Sequence, residues 1–358
     1  MLMQYPNGRV FYTVGVMGQV VEKGCITVVQ MDGAHMKHRK YNGCLFVLEG
    51  SDGDGKNVIL AVALAPKENG ENYDWFVGNC KLSGLGGWLG RQGQAVITDR
   101  HKGIPAAVST YLPNCMQINC MRHIIINMRT TCGAFNESEV WALRGSATKE
   151  LFEKKLAALS RKSPRAADYL SKVPVFKWVL YAVNVALYGH RTSNRVESEN
   201  SRLKPSRFED PYGFLEKSLF VIMDILRTNR LSAEKYVKEK KFLTPYAQKI
   251  YDLNDRQSQA TEVRVATNNV CYVTYKAAQI ETRRYLHSTA GDSTTAAYDT
   301  AALTTAALTT AALNTATALT IAAADTTAVA AAAAQIIAAA MLPLPTPLLP
   351  CCRCRPCP

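Results

Sequence analysis

Three short apolar runs near the start of the chain, each rich in β-branched residues, constrain its fold more than any other feature. They are CITVVQMD, which ends in Asp32, GCLFVLEGSDG, which closes in a Gly/Asp turn, and NVILAVALAP, which stops at Pro66. Runs of this length between turn residues are typical of buried strands. A tight Gly/Asp turn joins two strands as an antiparallel hairpin, so the three runs predict an antiparallel meander.

The elements that follow alternate between helix and strand. The helical pattern ENYDWFVGNCKL precedes the strand QAVITD, which ends in Asp99, and the helix KGIPAAVSTYL precedes the strand CMQIN. Three strands followed by two helix–strand units are the order of a ribonuclease-H-like α/β fold with a mixed sheet. The glycine-rich segment SGLGGWLGRQG follows a helix and precedes a strand, the reverse of a dinucleotide-binding loop, so we interpret it as a connection.

Helical patterns dominate the part of the chain that comes next. They fill 134–187, with SATKELFEKKLAALSRK and ADYLSKVPVFKWVLYAV as examples, and return as two helices, PYGFLEKSLFVIMDILRTN and SAEKYVKEKKF. Residues 260–287 then contain two strand patterns, TEVRVAT and VCYVTYK, without completing a recognisable unit.

The two ends of the chain differ in composition. The chain has 358 residues and a formal net charge of +13, yet between Ser293 and Pro350 the only charged residues are Asp299 and Asp325. The basic part is typical of a protein that binds a polyanion, although such charge can also serve solubility alone. The repeat TAALTTAALTTAALNTATALT lacks an amphipathic stripe, so we expect disorder there rather than a packed helix or a membrane span.

The eleven cysteines point to a reducing compartment. The first residues, MLMQYPNGRVFYTVG, do not have the pattern of a secretory signal, so the scattered cysteines are expected to be thiols or metal ligands rather than disulfides. Four of them crowd into the final CCRCRPCP, where the absence of histidine argues against a metal tract.

Two predicted strands end in an aspartate, Asp32 and Asp99. Hard Mg²⁺ or Mn²⁺ ions prefer carboxylate oxygens, and a pair of such ions about 4 Å apart supports in-line phosphoryl transfer. A third carboxylate from a later helix usually completes such a site. Aspartates at strand ends are also common turn formers, so the pair alone leaves both interpretations open.

Four motifs in order identify a family. The opening of the MULE transposase domain is similar to the segment MDGAHMKHRKYNGCLFVLEGSDGDGKNVILAVALAPKENGENYDWF. Its second catalytic aspartate is similar to ITDRHKGI, its Cys-x-x-His signature to CMRH, and its Thr-Ser-Asn-x-x-Glu-x-x-Asn block to the end of GHRTSNRVESEN. The chain thus resembles Mutator-like element transposases over roughly 25–285.

The resemblance implies a DDE-type transposase in which Asp32, Asp99 and Glu197 hold two divalent metal ions, Mg²⁺ or Mn²⁺. Glu197 is preferred because it lies in the matching block, whereas Glu199 would point about 200° away on a helix. Glu137 and Glu139 remain alternatives outside any motif. The spacing between Asp99 and Glu197 leaves room for an all-helical insertion at about 134–187.

Cys120 and His123 form the Cys-x-x-His signature. Thiolate and imidazole suit zinc, and Cys115 and Cys132 are near in sequence, but no second pair stands at finger spacing. A structural role beside the metal site is therefore favoured over zinc. His101 and Lys102 could touch DNA phosphates or be ordinary polar loop residues.

Basic residues surround Glu197 and are the candidate contacts to double-stranded DNA. They are Arg191, Arg195, Arg202, Lys204 and Arg207. The lysines at 235–241 are interpreted instead as a solvated helix face.

The resemblance divides the chain into four parts. These are a truncated lead-in (1–24), the ribonuclease-H-like core (25–210), a helical part with an incomplete SWIM-like lead-in (211–290), and a low-complexity tail (291–358). Family members usually carry zinc modules at both ends, and neither pattern is evident in this sequence. The sequence thus predicts metal-dependent DNA cleavage and transfer at transposon ends by a nuclear homo-oligomer with no membrane association. An inactive copy, or a transposase-derived DNA-binding protein without cleavage, remains an alternative.

Overall fold

The computed structural model describes residues 2–5, 8–100, 103–192, 200–259, 261–267, 270–275 and 283–286. Within these residues one mixed sheet organises the fold. Its strands are β1 (Leu2–Tyr5), β2 (Arg9–Tyr12), β3 (Cys25–His35), β4 (Cys44–Asp52), β5 (Asn57–Ala65), β6 (Ala95–Thr98) and β7 (Met116–Asn119). They lie side by side in the order β1-β2-β5-β4-β3-β6-β7.

The direction of the strands changes at β3. The strands β3, β4 and β5 form the predicted antiparallel meander, whereas β6 runs parallel to β3 and β7 runs parallel to β6. The predicted strands and the α/β class are confirmed. Because β3, β6 and β7 are parallel, their carboxyl ends meet at one edge of the sheet.

Helices cover both faces of this sheet. They are α1 (Met17–Gly24), α2 (Gly70–Leu82), α3 (Gly86–Leu89), α4 (Gly103–Tyr111), α5 (Met121–Thr131), α6 (Glu137–Arg144), α7 (Lys149–Lys162), α8 (Pro164–Ser171), α9 (Pro211–Lys238) and α10 (Pro245–Gln259). On the first face, Phe76 of α2 packs against Phe11 and stacks with Phe46 of β4. On the opposite face, the Tyr12 hydroxyl lies 2.6 Å from Ser218 Oγ of α9.

The glycine-rich segment between α2 and β6 is a connection, as predicted, and it contains the short helix α3. Its glycines permit close packing: a Cβ on Gly86 would lie 1.8 Å from the Lys81 carbonyl oxygen. This turn buries Trp88 and Leu89 in the core. The glycines therefore allow backbone segments of the protein to pack closely against each other.

The helical prediction for 134–187 is only partly right. Helices α6, α7 and α8 are present, but the continuous helix expected across VPVFKWVLYAV is wrong. This stretch instead forms two 3₁₀ turns, Val175–Lys177 and Leu180–Ala182, after Pro174. Proline disfavours a helical conformation in the residue before it, and the turns bury Trp178 completely.

Further elements differ from the sequence interpretation. The two helices predicted after Pro211 are one helix of 28 residues, α9. The expected break before Ser232 does not occur: Ser232 lies inside the helix, and its hydroxyl donates to the Thr228 carbonyl. Helices α1, α5 and α10 and strand β1 were not predicted.

The helices α5 to α8 share an apolar cluster of their own. Met121, Ile124 and Met128 of α5 pack with Leu143, Phe152 and Trp178, among others. This cluster is separate from the main core, which joins α1 to α4 and α9 to the sheet. The helical segment therefore has a local core with α5 as its base.

A second sheet follows α10. Its strands β8 (Thr261–Thr267), β9 (Val270–Tyr275) and β10 (Arg283–Leu286) pair antiparallel in the order β10-β9-β8. The two strands predicted between 260 and 287 are confirmed, and β10 was not foreseen. The low-complexity tail after 286 lies outside the described residues. No helix in the described part of the chain has the length and apolar character needed to cross a membrane.

Candidate functional site

Three residues that the sequence singled out lie side by side at one edge of the sheet. Met31 of β3 is in register with Thr98 of β6, and Thr98 is in register with Asn119 of β7. The next positions along the three strands are Asp32, Asp99 and Cys120. Since neighbouring strands lie about 4.8 Å apart, the register brings the two aspartates next to each other.

These residues share one face of the sheet. Side chains alternate along a strand, and the apolar residues two positions earlier, including Ile97 and Ile118, pack together with Cys120 in one cluster. Asp32 and Asp99 are both partly exposed, whereas Cys120 is fully buried. The two carboxylates thus lie at the solvent-exposed end of a sheet face whose earlier positions are apolar.

The block predicted to supply the third acid ends at this site. Asn200, its last residue, is buried and donates a hydrogen bond from Nδ2 to Asp32 Oδ2 over 3.2 Å. Glu197, Glu199 and Arg195 lie outside the described residues. The contact of Asn200 brings one end of the block to Asp32.

Cys120 and His123 interact directly, and His123 lies close to both aspartates. The pKa of His123 is raised to about 9, first by a hydrogen bond with Cys120 and then by the charges of Cys120, Asp32 and Asp99, against the opposing effect of burial. The imidazole is therefore protonated at neutral pH. It places a positive charge beside the two carboxylates.

Two residues that sequence reasoning missed lie at the same edge. The Tyr73 hydroxyl donates to Glu68 Oε1 over 2.8 Å, and a Cβ on Gly33, the residue after Asp32, would lie 2.9 Å from that oxygen. Burial raises the pKa of Tyr73, and the charges of Glu68, Asp99 and Asp32 raise it further. The one sequence feature that could have indicated Glu68 and Tyr73 is the polar segment Lys-Glu-Asn-Gly-Glu-Asn-Tyr, which stands beside an otherwise apolar helix face.

The basic candidates take different positions. Arg207 donates to the His35 carbonyl at the end of β3, and burial lowers its pKa. Arg202 and Lys204 are exposed. The carbonyl of Arg191 accepts a hydrogen bond from Met121 N, the residue after Cys120. Arg191 is thus anchored beside the row of site residues, while Arg207 holds the strand that carries Asp32.

The other described candidates lie away from the row of site residues. Glu137 forms an ion pair with Arg129, and Glu139 forms one with Lys162. His101 and Lys102 lie outside the described residues. Cys115 Sγ donates to the Leu89 carbonyl. Among the described residues, no group of three or more histidines, cysteines or carboxylates is arranged to hold a metal ion.

Comparison with known proteins identifies the segment that contains this row. Residues 28–127 match the family model of the MULE transposase domain. The match includes Asp32, Asp99, Cys120 and His123. A comparison with curated proteins found no match. The similarity to the MULE transposase domain therefore covers residues 28–127 of the chain.

Proposed function

We propose that this chain is a DDE-type transposase that cuts and transfers DNA strands at the ends of a transposable element. DNA is the general partner of a transposase domain. The observation that carries the proposal is the placement of Asp32 and Asp99 as neighbours, each directly after the last residue that pairs β3 with the parallel strand β6. Both are partly exposed, so a phosphodiester of double-stranded DNA could reach them.

The donor set suits divalent metal ions. Asp32 and Asp99 offer carboxylate oxygens, the ligands that Mg²⁺ and Mn²⁺ prefer, and Glu197 is the proposed third acid. When bound, two such ions activate the attacking water or 3′-hydroxyl and stabilise the leaving oxygen of an in-line displacement. The described part of the site supplies two of the three carboxylates, and the contact of Asn200 with Asp32 supports the third coming from the same block.

The surrounding residues tune these carboxylates. Two adjacent carboxylates repel each other. The protonated His123 and the hydrogen bond from Asn200 offset this repulsion. Cys120 holds His123 in place through their hydrogen bond, which supports a structural role for the Cys-x-x-His signature rather than zinc ligation.

The strand arrangement also supports a ribonuclease-H-like core. Order β5-β4-β3-β6-β7, with β3 central and the last two strands parallel to it, is the arrangement expected of that fold. We propose that the helices within 134–187 form an insertion on this core, since their cluster is separate from the main one. By the same resemblance we propose that the enzyme works as a homo-oligomer in the nucleus.

Nicking of supercoiled plasmid by the full chain tests the proposal. We expect Mn²⁺-dependent nicking that Asp32→Asn and Glu197→Gln each reduce to background. Glu199→Gln is the matched control, two residues from Glu197 in the same block, and should retain most of the activity. Binding of DNA without nicking under any divalent metal would contradict the proposal and favour a DNA-binding protein derived from a transposase.

If nicking survives Glu197→Gln but not Asp32→Asn, the metal site stands and the third acid lies elsewhere. Glu137→Gln and Glu139→Gln would then be compared. Their ion pairs with Arg129 and Lys162 predict that neither abolishes nicking.

A further inference from the structure

The hairpin of β3 and β4 continues beyond the two aspartates. β6 pairs with β3 only as far as Met31, whereas β3 runs on to His35, which pairs with Cys44 of β4. At about 3.3 Å per residue, His35 lies about 10 Å along the strand from Asp32. The loop 36–43, which joins the two strands, therefore lies past the carboxylates on the strand that carries Asp32.

This loop is basic and exposed at its tip. Its sequence, MKHRKYNG, contains three lysines or arginines and no acidic residue. Lys37, Arg39 and Lys40 are all exposed. A bridge between His38 and Tyr41 places Arg39 and Lys40 at the turn between them. The outermost part of the hairpin thus presents positive charge to solvent.

Backbone contacts fix the shape of the loop. Met36 N donates to the Gly43 carbonyl over 2.8 Å, and Tyr41 N donates to the His38 carbonyl over 3.4 Å. Lys40 N also donates to His38 Nδ1 over 3.3 Å. The Tyr41 ring covers Gly43 so closely that a Cβ there would lie 2.4 Å from the ring. Because the backbone is already ordered, the loop loses little conformational freedom when it binds a partner.

The segment 200–208 connects the carboxylates to this loop. At its start, Asn200 donates to Asp32 Oδ2. Near its end, Arg207 donates to the His35 carbonyl, and the Arg207 carbonyl accepts a hydrogen bond of 2.7 Å from Lys37 N. The segment therefore runs beside β3 from the candidate site outward to the base of the loop.

The segment and the loop share one basic surface. Arg202 and Lys204 are exposed and lie between the two anchor points of the segment. Lys37 Nζ lies 5.5 Å from the ring centroid of Phe208, which is itself exposed. We call this surface the basic track, and it comprises Arg202, Lys204, Lys37, Arg39 and Lys40. It leads from Asp32 to the tip of the loop.

We propose that the loop between β3 and β4 binds the phosphate backbone of duplex DNA on one side of the cleaved phosphate, through Lys37, Arg39 and Lys40. The inference rests on the proposed function and names a further surface for its substrate. The basic residues singled out from the sequence all lie between 191 and 207, so the loop extends the expected contacts to another part of the chain. Cations that follow one another along a rigid surface suit the regularly spaced phosphates of a duplex.

The length of the hairpin predicts where on the DNA the loop binds. The residues from His35 to the tip lie about 10 to 20 Å from Asp32 along the hairpin. The axis of a duplex advances about 3.4 Å per base pair. With the cleaved phosphate at the carboxylates, the loop therefore reaches phosphates about three to six base pairs away.

DNA binding without divalent metal tests the loop apart from the chemistry. Fluorescence anisotropy of the full chain with a labelled duplex would be recorded at several salt concentrations. We expect the double variant Arg39→Gln, Lys40→Gln to weaken binding by about 30-fold near 0.1 M salt and to reduce the salt slope by about two, because two phosphate contacts are lost. Both residues are exposed, so the Tm should not change.

Two matched variants serve as controls. The exchange Arg39→Lys, Lys40→Arg keeps both charges and should bind within about twofold of the unmodified chain. The double variant Lys154→Gln, Arg161→Gln removes the same charge from exposed positions of α7 and should also stay within about twofold. If the loop variant binds like the unmodified chain, or if the α7 variant loses as much affinity, the proposal is overturned.

Neutral methylphosphonate linkages locate the contact on DNA once the cut made by the unmodified chain has been mapped. Linkages about three to six base pairs from the cut should weaken binding of the unmodified chain. They should have no further effect on the variant Arg39→Gln, Lys40→Gln, because its contact is already lost. An equal loss of affinity in both proteins would refute the assignment of these phosphates to the loop.

The two proposals can fail separately. If the chain never nicks but the loop variant selectively loses affinity for duplex DNA, the loop is a DNA-binding surface and the transposase chemistry is refuted. If the chain nicks while the loop variant binds duplex DNA with unchanged affinity and salt slope, the chemistry stands and the loop surface is refuted.

Discussion

The two faces of the central sheet have different roles. The face toward α2 and α4 is apolar across its width, with Phe46, Phe76 and Met31 fully buried in one core. The other face is apolar only in patches. Between its clusters it carries Gln30 and Glu49, both buried, and Asp32 at the edge. The same strands build both faces, since consecutive residues alternate between them.

Within a single strand, the residues on the apolar face therefore stabilise the fold, and the residues on the polar face form the candidate site. Burial of aromatic side chains on the first face stabilises the sheet, and the rigid strands then hold polar groups on the second face in fixed positions. Residues one position apart therefore have different roles: Met31 is buried in the core, whereas Asp32 lies in the candidate site. Substitutions on the polar face should therefore affect activity. Substitutions on the apolar face should affect the free energy of unfolding.

The largest effect is expected for Asp99→Asn on the polar face. Loss of a carboxylate that is proposed to bind metal should slow nicking by about 1000-fold, since each 1.36 kcal/mol of lost transition-state stabilisation is a tenfold loss of rate. Removal of one of two adjacent negative charges should leave the Tm unchanged or slightly raised. Plasmid nicking and thermal unfolding of the same preparation measure both. A variant whose Tm falls together with its activity would contradict the separation of roles between the two faces.

On the apolar face, Phe76→Ala should lower the free energy of unfolding by about 3–5 kcal/mol because it leaves a cavity between Phe11 and Phe46. Denaturant unfolding measures this. The fraction that remains folded at low temperature should nick DNA at the unmodified rate. A selective loss of nicking in folded protein would show that the two faces are coupled.

Asn200→Ala tests the bond that links the third-acid block to Asp32. We expect nicking to fall about 10-fold and the Mn²⁺ concentration needed for half-maximal rate to rise, since a hydrogen bond to a charged group contributes about 1.5–3 kcal/mol. Asn200→Asp should be more damaging than Asn200→Ala because it adds a third negative charge instead of a donor. Equal activity in the two variants would mean that this contact does not order the site.

The smallest effect concerns His123. Its pKa of about 9 in the folded protein lies above the ordinary value of 6.5. The stabilisation from its proton is therefore complete below pH 6.5 and is lost as the pH rises through 9. Melting curves without divalent metal should show the Tm of the unmodified chain falling by a few degrees across this interval. In His123→Gln that part of the decline should be absent, and an identical decline in both proteins would assign it to other groups.

Sequence alone could predict the strands and the aspartate pair because each has a local signal. Each aspartate follows a β-branched run, and the order of elements makes the two positions neighbours. The sequence did not indicate that β3 continues past Asp32 to His35 through its pairing with β4. The contacts of Asn200 and Glu68 at the site could not be predicted in this way. Each depends on register or packing between segments far apart in the chain, and such contacts leave no periodic pattern.

The misjudged helices have a similar cause. The stretch around Trp178 has an apolar composition that suits a helix, but Pro174 and the burial of Trp178 in the local core favour two 3₁₀ turns. Helix α1 is short, and its pattern becomes evident only when Val21 and Met17 are seen to pack on the core. In both cases tertiary packing overrides a weak local preference.

The hydrogen bond between Asn200 and Asp32 joins residues that are 168 positions apart. Its two ends come together only after the intervening chain has been synthesised and folded, and closing a loop of this length carries an entropic cost that earlier contacts must offset. During translation the strands β3 to β7 can pair first, with the carboxylates already aligned but the block that contains Glu197 still to arrive. The nascent protein would thus gain its sheet well before the contact between Asn200 and Asp32 forms.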